Sequence, residues 1–367
     1  MSDPNVRTYL DYNATAPIMP EVVLAISDAL CQLGNPSSVH HHGRTIRALI
    51  EDARESLGVM LRCRAEQITF TSGATEANAA AIYGMKTAGL AVRVLCSTVE
   101  HPSVLDHVSC DDRLPVDSAG VIRLDVLNDR MKSTHGPVLA CIMMANNETG
   151  VVQPIRDVCD IVHRHQGYVL CDAVQAVGKM PIDPAHMDID LMTFSGHKLG
   201  GPPGIGALVN CRGLDLEPFL IGGGQEKRMR SGTENAPAII GLGAAAKAIQ
   251  SLSPSDAIAA LRDRFEVLLR EVRPEAVIHG LNAPRIPNTT NVSLPETLSE
   301  RQVIGLDLAG FSVSAGSACS SGKIGRSHVL EAMGVSPRLS ESAIRVSIGS
   351  NTNWEDLENF VDAWSAL

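Results

Sequence analysis

Positive charge is what this sequence has too little of: 31 Lys and Arg stand against 41 Asp and Glu, a formal net charge of −10 at pH 7. A surface that tracks nucleic-acid phosphates needs clustered Lys and Arg, so generic nucleic-acid binding is disfavoured. No uninterrupted apolar run approaches the roughly 18–20 residues of a membrane span. The opening residues, MSDPNVRTYLDYNATAP, lack the basic stretch and apolar core of a secretion signal. Together these absences point to a cytoplasmic protein without a membrane segment. The nine cysteines form no CxxC pair and repeat at no fixed spacing. Eight of them, Cys31, Cys63, Cys96, Cys110, Cys141, Cys159, Cys171 and Cys211, sit mostly in or beside apolar segments and read as buried free thiols of a reducing compartment. Cys159, His163, His165 and Cys171 come near metal-ligand spacing, but His165 falls at a helix end and Cys171 inside a strand. No metal site is expected there or elsewhere. The run His40-His41-His42 lies among Gly, Pro and Ser and reads as a loop with one useful histidine.

What is present suits an enzyme core. The chain has 367 residues, 44% of them hydrophobic and 20% charged, which argues against disorder. At roughly 150 residues per domain it suggests about two structural units. From about residue 20 to 250, short apolar runs alternate with amphipathic stretches, the pattern of βα units around a mainly parallel sheet. QITFTSG, VRVLCST, VLACIMM, GYVLCD, IDLMTFS and IGALVN are the strand candidates. Gly43 to Leu57, ATEANAAAIYGMKTAG and APAIIGLGAAAKAIQ are helices, the last rich in small residues and suited to tight packing. Near SLSPSD the composition turns to loop residues, and the later segments read as a smaller α+β unit. No repeat or long linker divides the two.

Three constellations carry chemistry. Lys198 in SGHK follows a buried strand, where α/β sheets bind ligands. Alone it would read as a surface lysine, but Ser195 and His197 add anion donors. A lysine beside phosphate donors is what pyridoxal phosphate needs. Thr71 to Glu76 places Gly73 and Thr75 at a strand-to-helix turn, where free N–H groups favour a phosphate or, equally, an ordinary cap. Asp172 emerges from the apolar strand GYVLC, with Gln175 one turn on. A carboxylate there wants a positive partner such as a protonated pyridine nitrogen, or else caps a helix. His101, after another strand, is in place to stack on a ring and move protons near neutral pH.

With these residues in hand the chain resembles the cysteine desulfurases of the NifS/IscS type, class V aminotransferases within the fold-type I pyridoxal-phosphate enzymes. The matching motifs run almost from end to end: YLDYNATAP, GNPSSVHHHGR, FTSGATEAN, EHPSV, NNETGVVQPI, CDAVQAVGK, FSGHKLGGPPGIGAL, GGGQEKRMRSGTEN, PNTTNVS, SAGSACSSG and IRVSIG. The resemblance implies an α/β fold in which residues 14–250 form a large cofactor-binding domain. Residues 1–13 and 251–367 would form a small α+β domain bearing a catalytic cysteine loop. It implies that Lys198 carries pyridoxal 5'-phosphate, that Asp172 meets the ring nitrogen, Gln175 the ring hydroxyl and His101 the ring face. Ala74, Thr75, Ser195 and His197 would hold the phosphate, with Thr233 arriving from the second subunit of a homodimer. Asn147 would serve both cofactor and substrate. Asn13 and Arg345 would bind the substrate carboxylate; Arg345 in an apolar strand also invites an anion on its own account, whether a substrate or an internal Asp or Glu.

Cys319, in a segment of small residues, becomes the implied nucleophile. L-cysteine would be converted to L-alanine, leaving a persulfide on Cys319 for an acceptor protein in iron–sulfur cluster or other sulfur-containing cofactor assembly. The chain departs from the family in Gly201-Pro202-Pro203-Gly204, where a lysine is common at the third position, and in Ala16, where a threonine is common. Residues 346–367 are all that follow Arg345, so docking of the standard scaffold through a longer tail is not expected. A selenocysteine lyase or another β-lyase on the same fold is the alternative, and a non-catalytic relative the more distant one.

Overall fold

The computed structural model describes residues 7–251, 255–315 and 326–367. Its strands are β1 (Thr8–Tyr9), β2 (Ile68–Thr71), β3 (Arg93–Ser97), β4 (Arg113–Leu114), β5 (Val138–Met143), β6 (Tyr168–Asp172), β7 (Leu191–Ser195), β8 (Gly206–Asn210), β9 (Val277–His279), β10 (Thr289–Ser293), β11 (Phe311–Ser312), β12 (Ser314–Ala315) and β13 (Ala343–Ser347). The apolar runs of the sequence thus become a seven-stranded sheet in the order β2-β8-β7-β6-β5-β3-β4. β3 to β7 are parallel, whereas β8 runs antiparallel to β7 and to β2. The reversal has a local cause. Only residues 196–205 join β7 to β8, and a parallel return needs a crossover of a dozen or more residues. Every residue of β5 and β7 is buried, as strands covered on both faces must be.

Helices cover this sheet. The helix His41–Leu61 packs its Ile46, Ile50, Ala53 and Leu57 inward. It starts two residues before the expected Gly43, because His40 caps it: its Nδ1 accepts from the Gly43 N–H at 3.3 Å. That is the useful histidine of the run, and His41 and His42 lie in the first turn. The small-residue helix Ala236–Ser251 lies against it so closely that a Cβ added at Gly243 would come within 2.5 Å of Ala53 Cβ. Small side chains there set the helix spacing.

A second sheet, β12-β13-β10-β9, is antiparallel throughout. Its core includes Phe265, Phe311 and Phe360, packed edge to face with ring centroids 5.6 Å apart, and buried Trp364, whose indole N–H donates to Gln302 at 2.8 Å. β1 pairs with β11, and Asp11 bridges to Ser347. The first described residues therefore attach beside the second sheet before the chain enters the first. This routing places Asn13 in the seam between the two.

One buried ion pair braces the segment that leads to Thr233. Arg54 donates from Nη1 and Nη2 to the two carboxylate oxygens of Glu226, both at 2.8 Å, with side chains only 4% and 3% exposed. Glu226 also accepts from the Phe70 N–H at 2.8 Å, and the guanidinium lies 4.5 Å over the Phe70 ring. Glu226, Lys227 and Arg228 all have positive φ (44°, 54° and 70°), which costs non-glycine residues about 1–2 kcal/mol each. The fork offsets that strain. Glu226→Ala is expected to lower stability by about 3 kcal/mol, because it leaves the buried Arg54 charge answered only by Glu51, which is 51% exposed and 3.1 Å from Nε, while Arg54→Met combined with Glu226→Leu recovers most of the loss. Thermal unfolding followed by circular dichroism checks both, and equal midpoints for wild type and Glu226→Ala would refute the bracing role.

Candidate active site

The carboxyl ends of β3, β5, β6 and β7 converge, because parallel strands in register end together. Met143 pairs with Asp172, and Asp172 with Thr193. Asp172 is buried at the end of β6. Its Oδ2 accepts from Asn78 Nδ2 at 2.9 Å and its Oδ1 from the Val174 N–H at 3.0 Å. Asn78 is held in turn by the Thr193 hydroxyl, which donates to its Oδ1 at 2.6 Å, and it also donates to Ser103 Oγ at 3.0 Å. Ser103 meets His101: its N–H donates to Nδ1 at 3.1 Å, with its hydroxyl 2.9 Å from the same nitrogen. With Nδ1 accepting, Nε2 carries the ring proton. Burial pushes the His101 pKa down; Asp172 opposes that, while Lys198 and His328 reinforce it. His101, Asp172 and Lys198 thus share one electrostatic environment.

Lys198 ends a short turn, Gly196–Lys198, directly after β7. Its Nζ donates to the Asn13 and Ala14 carbonyls, both at 2.7 Å. Gln175 Nε2 also reaches the Asn13 carbonyl, at 3.1 Å. The Asn13 side chain spans the seam: Nδ2 donates to Thr289 Oγ1 at 2.8 Å and to the Asn147 carbonyl at 3.1 Å. Arg345, buried in β13, donates from Nη1 to that same Asn147 carbonyl at 3.0 Å and from Nη2 to Asp11 at 2.6 Å. Of the two anions the sequence left open for Arg345, the internal aspartate is therefore present.

The third group of expected residues gathers at the helix Ala74–Thr87. Gly73 is its cap and Ala74 and Thr75 begin it. A Cβ built on Gly73 would meet Ser195 Oγ at 3.9 Å as its nearest neighbour, so open space lies between the helix start and Ser195. The crowded glycine is Gly206, whose added Cβ would lie 2.7 Å from the Gly73 backbone. Free N–H groups, a serine hydroxyl and open space make a cradle that fits a phosphate. Together with a lysine at a strand end and a buried carboxylate, this donor set fits pyridoxal phosphate. His197 sits beside Thr15, its Nδ1 3.3 Å from Oγ1, and burial pushes its pKa down to about 4. Thr233 is exposed and lines a cavity of about 200 Å³ with Thr71, Ser72 and Arg230. Cys319 lies outside the described residues. Ser314 stands at the start of the approach to it, paired with Arg345 across β12 and β13.

Sequence reasoning missed Asn78, Asp11 and Lys179, although each stood inside a quoted motif. Asn78 lies one helical turn beyond Ala74, and Lys179 one turn beyond Gln175, so helical spacing was the available signal. Lys179 Nζ donates to Gln175 Oε1 at 2.5 Å and to Asn13 Oδ1 at 2.7 Å. Burial, with Lys198 and Arg345 nearby, holds its pKa well below the usual lysine range. His163, set aside as a metal ligand, lies between carboxylates: its ring nitrogens are 3.2 Å from Asp188 and 2.8 Å from Asp190.

The chain is similar to known proteins over nearly its whole length. Residues 8–360 match the model of the aminotransferase class-V family. The cysteine desulfurase IscS of Dictyoglomus turgidum is 38% identical over 370 residues, covering 97% of this chain and 93% of that protein. Among solved structures, a NifS-like protein from Rickettsia africae superposes with a TM-score of 0.90 at 34% identity, covering 98% and 99% of the two chains. A structure of SspA in complex with cysteine gives 0.80 at 30% identity, covering 93% and 98%.

Behind His101 lies a carboxyl that sequence patterning gave no reason to single out. Glu100 is fully buried. Its Oε1 accepts from the Ser97 hydroxyl at 2.6 Å and the Met143 N–H at 2.9 Å, and its Oε2 has no partner among the described residues. Burial pushes its pKa up to about 8, so at neutral pH it holds a proton that the unfolded chain releases above the ordinary carboxylate range. Its contribution to stability is present at low pH and falls as pH rises from about 4.5 to about 8. Glu100→Gln removes this dependence. The stability of the variant relative to wild type should therefore grow between pH 5 and pH 8.5, by an amount on the order of 3 kcal/mol. Melting curves at the two pH values test this, and a difference that does not change with pH would refute it.

Proposed function

Because the chain belongs to the class-V aminotransferase family and is a pyridoxal-phosphate-dependent cysteine desulfurase, we propose that it moves sulfur from L-cysteine onto Cys319, releases L-alanine and passes the sulfur to an acceptor protein for iron–sulfur cluster or other sulfur-containing cofactor assembly. The observation that carries this reading is the seam. Lys198 and Gln175 from the large sheet's side, and Arg345 from the second sheet through the shared Asn147 carbonyl, meet around Asn13. When bound, pyridoxal phosphate supplies an electron sink conjugated to the substrate α-carbon.

The residues divide the remaining work. Lys198 Nζ would hold the cofactor and, once released from it, take the α-proton. Asp172, fixed by Asn78, would favour a proton on the ring nitrogen. Gln175 and His101 would hold the ring, and Thr75, Ser195 and His197 would hold the phosphate with the N–H groups at Ala74. Arg345, Asn147 and Asn13 orient the substrate carboxylate. The Cys319 thiolate attacks the substrate sulfur: the sulfur–carbon bond breaks, a sulfur–sulfur bond forms, and the β-carbon takes a proton. L-cysteine and a thiol thereby become L-alanine and a persulfide, with no outside oxidant. The likeness to a structure holding cysteine supports L-cysteine as substrate.

The large cofactor-binding unit is 14–250, and 1–13 with 251–367 supply the carboxylate site and the sulfur carrier. The working form is a homodimer in which exposed Thr233 reaches the phosphate site of the other subunit. No helix among the described residues is long and apolar enough to cross a membrane, and the proposed compartment is the cytoplasm.

Purified wild type should be yellow and release alanine and sulfide in equal amounts from L-cysteine with a reductant. Cys319→Ala should keep its colour and lose at least about 100-fold in desulfuration, and Lys198→Ala should lose both. Sulfide release that survives Cys319→Ala would replace the persulfide route with a lyase.

A further inference from the structure

Arg345 is 3% exposed at its side chain, and a guanidinium that deep needs a resident anion whether or not substrate is bound. Asp11 is that anion. Its Oδ1 accepts from Nη2 at 2.6 Å, and its Oδ2 accepts from the Ser314 hydroxyl at 2.7 Å. Asp11 is itself pinned through its backbone, by the bridge to Ser347 and by the Tyr9 hydroxyl donating to its carbonyl at 3.0 Å. The guanidinium is not used up by this pairing. Of its five N–H groups, the bonds to Asn147 and Asp11 take one on Nη1 and one on Nη2, and Nε is buried with no partner among the described residues. A second anion can therefore join the same guanidinium, against the repulsion of the first.

We propose that Asp11 is a positioning residue that aims Arg345 at the substrate carboxylate and, by its own charge, holds down the affinity for that carboxylate. The proposal rests on the reading of Arg345 as the carboxylate site. It follows from the chemistry of the reaction that such restraint is useful. L-cysteine and L-alanine carry the same α-carboxylate, so attraction to that group binds substrate and product alike and does nothing for the chemical step. Excess attraction would retain alanine. Glu148 also feels Arg345, but burial pushes its pKa up to about 7 and its Oε2 is engaged by Ser327. Asp11 is the directly bonded counter-charge.

The test is titration of the holoenzyme with L-alanine, read by the change in cofactor absorbance, alongside steady-state kinetics with L-cysteine. Asp11→Asn keeps the shape, removes the charge, and should bind L-alanine about tenfold more tightly, with KM and kcat for L-cysteine both lowered. Ser314→Ala keeps the charge and should leave alanine affinity within about twofold. Should Asp11→Asn not fold, Asp11→Ser is read the same way. Arg345→Ala is the control. If it loses alanine binding while the neutral Asp11 variants bind alanine as weakly as wild type or more weakly, Asp11 is only a scaffold and the proposal falls alone. If Arg345→Ala binds alanine normally, the carboxylate assignment falls and the proposal with it.

Discussion

A carboxylate at the end of an apolar strand has to be answered, and the way Asp172 is answered organises everything around it. Asn78 takes one of its oxygens, and the same amide is gripped by Thr193 on the neighbouring strand and reaches Ser103 beside His101. Four elements are therefore tied through one side chain: β6, β7, the helix Ala74–Thr87 and the short helix Pro102–Leu105 after β3. The tie fixes where the helix start lies relative to the strand end, and hence how far the phosphate cradle sits from Asp172. It also fixes the imidazole of His101 through Ser103. In a buried setting each of these hydrogen bonds is costly to leave unmade, so the network tolerates one arrangement.

Much of this was readable before the structure because it is local. Strand runs such as VLACIMM and GYVLCD, the lysine after IDLMTFS and the glycine turn before the helix are each short patterns whose physics acts within a few residues. What escaped reading was long-range. Asn78 meets Asp172 across 94 positions and Asp11 meets Arg345 across 334, and no periodicity encodes such a partner. Arg345 illustrates the limit. Its residue type demanded an anion, but only the pairing of β1 with β11 and the bridge from Asp11 to Ser347 bring Asp11 to it. The reversal of β8 was legible in principle from the short link after β7, although the alternation of runs spoke only for a mainly parallel sheet and gave no direction for this strand. His40 shows a milder version: the loop composition around it hid a helix cap.

The seam gathers cations at a cost to folding. Lys198, Lys179 and Arg345 surround Asn13, and mutual repulsion adds to burial in holding Lys179 well below the usual lysine range. A lysine in that state donates to Gln175 and Asn13 while carrying less charge than its type suggests. Because Nζ donates, both amide oxygens must turn toward it. The Nδ2 of Asn13 then faces Thr289 and the Asn147 carbonyl, and the Nε2 of Gln175 faces the Asn13 backbone. Orientation of the two amides is thus set from outside the site by a residue that need not touch a ligand.

Two sheets with separate cores meet at a few polar residues, and this division separates the tasks of the site. In the proposed function the large sheet holds the residues for a ring and a phosphate, while β13 of the second sheet holds the arginine for a carboxylate. The distance between those tasks is set by neither core but by the seam. There Tyr12 lies so close to Gly349 that an added Cβ would fall 1.9 Å from its ring, and Gly150 lies against Thr289, with 2.9 Å left for one. The absence of a side chain at these glycines makes room for Tyr12, the chain neighbour of Asn13, and for Thr289, its hydrogen-bond partner. A side chain at Gly349 would displace Tyr12 and, through the chain, Asn13, whose carbonyl accepts from Lys198 Nζ. The consequence would fall on the geometry between the α-carbon and Nζ, since proton transfer requires heavy atoms within about 3 Å. The seam glycines therefore bear on the proposed chemistry through the placement of Asn13.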